Sequence, residues 1–144
     1  MYAAAAVHLC VGIALPWIGD QAVFETYHRH TEFAFWGLDA PGAARAQQVW
    51  WIALFGPTIQ GLSLWMGALV YFGDRYRSRF AWAMLILGLL VWAPQDILIS
   101  LRAGNWMHVW ADGFALTTML PPLLWLNRHD RKAKAGRFEN PTAQ

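Results

Sequence analysis

The chain has 144 residues, of which 57% are hydrophobic, 15% aromatic and only 14% charged. Soluble domains carry roughly 25% charged residues, so this composition excludes an ordinary soluble protein. The net charge of +2 comes from 11 basic against 9 acidic residues, and the basic residues gather at one turn and the tail, which argues against a nucleic-acid partner. The single cysteine, Cys10, excludes a disulfide within the chain.

Four apolar runs fill most of the chain and predict four transmembrane helices. A helix needs about 20 apolar residues to cross a hydrocarbon core of ~30 Å. The predicted spans are residues 2–18, 49–72, 80–101 and 106–126. We therefore expect an all-α integral membrane protein, tryptophan-rich, whose four-transmembrane-helix bundle forms one domain (residues 1–126). A basic tail (residues 127–144) follows it.

Small and polar residues form a stripe along each of the first two spans. The stripes are His8, Gly12, Pro16 and Gly19 on the first span and Gly56, Gln60, Ser63 and Gly67 on the second. Such residues let neighbouring helices approach closely, so both stripes are predicted packing faces. An unpaired amide in hydrocarbon costs several kcal/mol, so Gln60 should point into the bundle. If the second stripe is not used internally, it is a candidate contact for a partner subunit.

The only long connection, residues 20–48, mixes acidic residues, histidines and aromatics, as a segment in the membrane interface does. If it is helical, Glu25, His28 and Glu32 share a face; if it is extended, His28 and His30 share one instead. Periodicity leaves both conformations open. The histidine pair is a weak metal signal beside the alternative of a solvated polar rim.

The distribution of basic residues predicts the orientation. Eight of the 11 lie in the turn 74–79 or in the tail, and basic loops stay in the cytoplasm. We therefore expect an inner (plasma) membrane protein of a bacterium-like cell, with both termini cytoplasmic and the long interfacial loop outside. Pro121 and Pro122 should disrupt the inner end of the last span, and the tail after Asn127 should be frayed and solvated.

The last two spans carry ionisable residues into what should be hydrocarbon. Asp96 lies five residues from the outer end of its span and Asp112 six from the outer start of the next, so both lie about 8 to 9 Å below the outer boundary. His108 shares a helix face with Asp112. The turn between the spans is short, with Gly104 suited to a helix C-cap and Asn105 to an N-cap, so these helices should be antiparallel neighbours.

Three interpretations of this cluster stay open. In the first, Asp112 pairs with Arg102 or His108 and the cluster only fixes the packing. In the second, the cluster binds a small molecule or a cation from outside, because ionisable groups inside spans are costly and mark functional sites. In the third, the cluster supports enzymatic or metal chemistry. His108, Asp112 and Asp96, alone or with His28 or His30, are then mixed nitrogen and oxygen ligands, or His108 is a general base held by Asp112.

On balance we expect a membrane binding or accessory protein for a small molecule, a cation or a larger membrane complex. The candidate ligand-binding residues are Asp96, His108, Asp112, Gln60, Trp92 and Trp110. We assign no residue to a resident metal, and the sequence identifies no cofactor and no catalytic residue. The alternative is a membrane-embedded enzyme or metal-dependent protein that uses His108, Asp112 and Asp96. The expected partners are the lipid bilayer and either further copies of the chain or a larger membrane complex, with no nucleic acid.

In layout the chain resembles the EXPERA superfamily of sterol isomerases and sigma-2 receptors, which also carry acidic residues within a bundle of about four or five helices. No motif aligns, so the resemblance assigns no role to Asp96 or Asp112. Small multidrug transporters also have four helices, but they centre on a carboxylate in the first span. This sequence has only His8 there.

Overall fold

The computed structural model describes the backbone of residues 1–139 and the side chains of residues 1–130, and within that range it is all-helical. Its helices are α1 (Tyr2–Ile18), α2 (Glu25–Trp36), α3 (Ala44–Tyr76), α4 (Arg79–Arg102) and α5 (Trp106–Glu139). A short 3₁₀ turn, Ala22–Phe24, precedes α2. Four of the helices contain the predicted spans, and α2 lies within the long connection.

The two turns between the long helices are short enough to make their neighbours antiparallel. Residues 77–78 join α3 to α4, and residues 103–105 join α4 to α5. Gly104, at φ +69°, takes the left-handed conformation that ends a helix, and the Asn105 side chain accepts the backbone N–H of His108 at 3.4 Å. The predicted caps are confirmed. Because α1 packs mainly on α3, and α4 on α5, the molecule consists of two helix pairs joined along α3 and α4.

Contacts between distant residues define the two ends of the molecule. The Tyr2 hydroxyl donates to Asp74 at 3.5 Å, and Arg77 donates to Asp130 at 3.3 Å. The start of α1, the α3–α4 turn and the late part of α5 therefore share one end, here called the tail end. The opposite end, here called the loop end, carries α2 and the α4–α5 turn. There the chain bends by 106° between α1 and the segment 22–36.

The α1–α3 contact is close because glycines face each other. A Cβ atom added at Gly12 would lie 2.9 Å from the carbonyl oxygen of Gly56, and one added at Gly56 would lie 2.5 Å from the Pro16 ring. The Gln60 amide donates to the Gly12 carbonyl at 3.0 Å. Both predicted packing faces and the inward amide are confirmed. Because the second stripe is used within the chain, it is not left free for a partner subunit.

The last helix is longer than the sequence analysis predicted. Pro121 and Pro122 remove two backbone donors, yet α5 passes through both and continues to Glu139. Packing against a neighbouring helix, here α4, lets a helix tolerate proline in its interior. The predictions of a disrupted inner end, and of a frayed tail between Asn127 and Glu139, are therefore wrong. The basic side chains beyond residue 130, and residues 140–144 altogether, lie outside the described residues.

The hydrophobic core lies toward the tail end. Its buried members are Val70, Trp82, Leu89 and Leu123. The indole N–H of Trp82 donates to Asp130 at 2.8 Å. Burial opposes ionisation of Asp130, but hydrogen bonds from Trp82, His129 and Arg77 outweigh it, and the pKa of this carboxyl is lowered. Asp130 thus ties α5 to α4 and to the α3–α4 turn.

The exterior of the molecule is apolar, which is the reverse of a soluble fold. Trp65, Trp110 and Phe114 are among many large apolar side chains that are exposed, and only 11% of the most apolar stretch of α3 is buried. By length and composition α3 and α4 are able to cross a membrane, and α1 with the segment 22–36 forms a third candidate if that bent pair is one span. An apolar exterior on helices of this length is typical of an integral membrane protein.

A candidate cation site at the loop end

Three ionisable side chains converge between α4 and α5. The His108 Nε2 atom lies 3.5 Å from Oδ2 of Asp96 and 3.8 Å from Oδ2 of Asp112. One ligand atom from each residue lies within 4.8 Å of the others. The i, i+4 spacing stacks His108 over Asp112 on α5, and the short turn brings Asp96 opposite them. The clustering of these three side chains is as predicted, and we call them the carboxylate–imidazole cluster.

Asp112 is the buried member of the cluster. Its side chain is 6% exposed, whereas that of Asp96 is 29% exposed and that of His108 is 35% exposed. The Oδ2 atom of Asp112 has no hydrogen-bond partner among the described residues. Its 3.8 Å separation from His108 is too long for an N–H···O hydrogen bond, which spans roughly 2.7–3.2 Å. A buried carboxylate oxygen without a partner is energetically costly, and it marks the cluster as a place where a cation would stabilise the fold.

Helix α2 covers the cluster from the loop end. The Tyr27 ring lies with its centroid 6.5 Å from that of His108, and the Asn105 amide donates to the Thr31 hydroxyl at 3.3 Å. Tyr27 was missed in the sequence analysis because no local spacing connects it to His108. These two contacts place α2 over the loop-end side of the carboxylate–imidazole cluster.

Ion pairs hold α2 against the start of α3. Arg45 lies 2.7 Å from Glu25 and 2.8 Å from Glu32, so the helical alternative, in which both glutamates share a face, is the one the fold adopts. Hydrogen bonds from Arg45, and then from Arg29, lower the pKa of Glu25 to about 2. The Glu25 carboxylate therefore stays charged, and its pairs persist, at any pH well above that value.

The two histidines of α2 do not join the carboxylate–imidazole cluster. His28 is 1% exposed, with Nε2 at 2.7 Å from the Gly19 carbonyl and Nδ1 at 3.0 Å from the Gln48 side chain. His30 is exposed, and its Nδ1 atom lies 2.8 Å from the Thr26 carbonyl in its own helix. Helical geometry points the two rings apart, so the hypothesis that either adds a ligand to the cluster loses its support.

The structure brings together three of the six residues that the sequence analysis grouped. Gln60 lies in the α1–α3 contact, where Gly12 satisfies its amide. Trp92 is 46% exposed and Trp110 is 73% exposed, so both rings face outward from the helices. Arg102 is exposed as well and forms no ion pair among the described side chains, which leaves His108 as the one basic side chain next to Asp112 in that part of the chain.

Comparisons of the chain with protein-family models, with curated proteins and with solved structures found no match. The class that the fold and the site define is a helical membrane protein with a carboxylate–imidazole cluster covered by the short helix α2. Any function assigned to it rests on the chemistry of that site.

Proposed function

We propose that the chain is a membrane protein that binds a divalent metal ion through Asp96, His108 and Asp112. The observation that carries the proposal is the buried Oδ2 atom of Asp112, which faces His108 and has no hydrogen-bond partner in the part of the chain that the structure describes. Two carboxylates offset the charge of a divalent ion, and neutral imidazole offers it a nitrogen lone pair. Metal binding would therefore satisfy the oxygen that the folded chain leaves unpaired.

The spacing of the ligand atoms supports this proposal. Metal–ligand bonds of about 2.1 Å in a tetrahedral site place neighbouring ligand atoms roughly 3.4 Å apart. The His108 nitrogen lies 3.5 and 3.8 Å from the two carboxylate oxygens, and all three ligand atoms lie within 4.8 Å of one another, so side-chain rotations that shorten these separations would complete the site. A mixed nitrogen and oxygen set favours Zn²⁺ or Mn²⁺ over Mg²⁺ and Ca²⁺, which prefer oxygen alone.

A purely structural cluster is the competing explanation. In it, a protonated His108 is held between the two carboxylates. However, Nε2 carries a single proton, and both of its carboxylate distances exceed those of a good hydrogen bond. The ion-pair explanation thus leaves Asp112 poorly satisfied, whereas a metal ion bonds to all three groups at once.

The number of protein ligands favours one further activity. Structural zinc sites have four protein ligands, whereas catalytic sites have three and keep an open position for water or substrate. The carboxylate–imidazole cluster offers three. Metal-assisted chemistry at that open position is therefore the second candidate function. Zinc-dependent turnover of a membrane-soluble substrate would support it. A bound metal ion whose coordination positions are all filled by protein ligands, as measured by X-ray absorption, would exclude it.

Calorimetric titration of the detergent-solubilised protein tests the metal proposal. We expect one equivalent of Zn²⁺ or Mn²⁺ to bind, at least about tenfold more tightly than Mg²⁺, and Asp96→Asn to weaken that binding by about tenfold or more. Asp74→Asn is the matched control, because Asp74 is an exposed carboxylate at the tail end. The proposal is wrong if none of these ions saturates the protein, or if both variants weaken binding equally.

We further propose that α1, α3, α4 and α5 all cross the inner membrane and that both termini are cytoplasmic. The tail end carries Arg75, Arg77, Arg79 and Arg128. The loop end, by contrast, carries only Arg29, Arg45 and Arg102, and the other four basic residues of the sequence follow Arg128 in the tail. An excess of Lys and Arg in short loops and near span ends marks the cytoplasmic side.

Cysteine labelling of intact cells tests this orientation in a Cys10→Ala background. Leu38, at the loop end, is 92% exposed and Tyr76, at the tail end, is 64% exposed, so neither substitution disturbs the core. We expect a membrane-impermeant maleimide to label Leu38→Cys in intact cells, and Tyr76→Cys only after permeabilisation. The reverse pattern would invert the topology, and labelling of both in intact cells would rule out an odd number of crossings between them.

A further inference from the structure

A cavity of about 590 Å³ lies at the loop end, between α2 and the outer halves of α1 and α3. Aromatic rings form much of its wall, among them Tyr27, Phe35, Trp51 and Phe55, and His108 lies at one edge. Pockets for small organic ligands span roughly 300–1,000 Å³ and are mostly apolar with a few polar groups. Apart from His108 this groove belongs to residues outside the carboxylate–imidazole cluster, and we call it the aromatic groove.

The polar groups of the aromatic groove differ in how well they are satisfied. Thr31 donates its hydroxyl to the Tyr27 carbonyl at 3.0 Å and accepts a hydrogen bond from Asn105 at 3.3 Å. Gln48 is 9% exposed, and only its Oε1 atom is paired, with His28. Its Nε2 atom is buried and has no hydrogen-bond partner within the described side chains and backbone. Rotating the amide by 180° exchanges the two atoms, but the atom that faces away from His28 is unpaired in either orientation.

We infer that the aromatic groove binds a membrane-soluble alcohol, with its apolar body against the aromatic rings and its hydroxyl on the unpaired end of the Gln48 amide. A hydroxyl both donates and accepts, so it pairs with the amide in either orientation, whereas a carbonyl oxygen accepts only. The described lining contains no aspartate, glutamate, lysine or arginine, which argues against a charged head group. This inference is independent of the proposed metal site.

The experiment compares a fluorinated long-chain alcohol with the alkane of the same length. Binding of 12,12,12-trifluorododecan-1-ol and 1,1,1-trifluorododecane to the protein in nanodiscs is followed by ¹⁹F NMR, with empty nanodiscs correcting for partition and a chelator removing metal ions. We expect saturable binding of both, with the alcohol preferred roughly three- to tenfold, as one added neutral hydrogen bond implies. Because the chelator removes metal ions, alcohol binding is measured without the proposed metal. A negative result here therefore counts against the groove and not against the metal site.

Two variants locate the hydroxyl. Gln48→Met keeps the side-chain length but removes the amide, so the alcohol should lose its preference over the alkane. Gln47→Met is the matched control, because Gln47 also lines the groove but is exposed, and it should keep the preference. The wild-type comparison needs no variant to fold: equal affinity of alcohol and alkane, or no saturable binding, would overturn the inference. A preference that survives Gln48→Met would overturn the assignment of the hydroxyl to Gln48.

Discussion

Asp112→Asn is expected to abolish Zn²⁺ and Mn²⁺ binding while leaving the metal-free protein as stable as the wild type, or more so. Asparagine has nearly the same shape, but it lacks the ionisable carboxyl whose Oδ2 atom is buried without a partner among the described residues. The variant therefore removes a group whose ionised form is costly to bury, while the metal ion loses a ligand. Melting curves in detergent, recorded with metal and with chelator, measure both effects on one sample.

The wild type should gain thermal stability from the metal ion, and the variant should not. A ligand present at 100 times its Kd stabilises the folded state by about 2.7 kcal/mol, which gives a clear shift of the melting curve. If Asp112 instead pairs with a protonated His108, the same variant loses stability without metal, because the imidazolium then keeps only Asp96 as a partner. Equal melting and equal metal binding in both proteins would refute both explanations. Asp74→Asn again controls for loss of a carboxylate.

The sequence was sufficient to predict the carboxylate–imidazole cluster because its geometry is local. His108 and Asp112 are one helical turn apart, and Asp96 precedes them by a turn too short for any other arrangement of α4 and α5. The same periodicity predicted the α1–α3 contact, since glycine and glutamine at helical spacing in an apolar run have few other uses. Helical periodicity and turn length therefore suffice to predict contacts between residues that share one helix or one helical hairpin.

Contacts between residues far apart in the sequence were not predictable. The hydrogen bond from Trp82 to Asp130 joins residues 48 positions apart, and the contacts of Tyr27 with His108 and of His28 with Gln48 likewise follow from how α2 folds back. Taken alone, the segment that forms α2 has the composition of an interfacial loop, and the segment around Asp130 has that of a basic tail. The docking of α1 on α3, which sets where α2 begins, brings Tyr27 and His28 to their partners, and the packing of α4 on α5 brings Trp82 to Asp130.

Gly56→Ala is expected to destabilise the protein by about 1–3 kcal/mol, the usual cost of overpacking a close contact. The added Cβ atom would lie 2.5 Å from Cγ of the Pro16 ring and 2.8 Å from the Gly12 carbonyl oxygen. Neither the ring nor the backbone is able to rotate away, so α1 must move off α3. Unfolding in an SDS titration, followed by far-UV circular dichroism, measures the loss.

Gly61→Ala, in the same helix, is the matched control. A Cβ atom there meets nothing within 4 Å, and alanine in a helix is favoured over glycine by about 0.5–1 kcal/mol, so this variant should be neutral or slightly more stable. Similar effects of the two substitutions would show that α1 does not dock on α3 through Gly56. Because that contact also places the Gly19 carbonyl against His28, the placement of α2 over the carboxylate–imidazole cluster would then need another explanation.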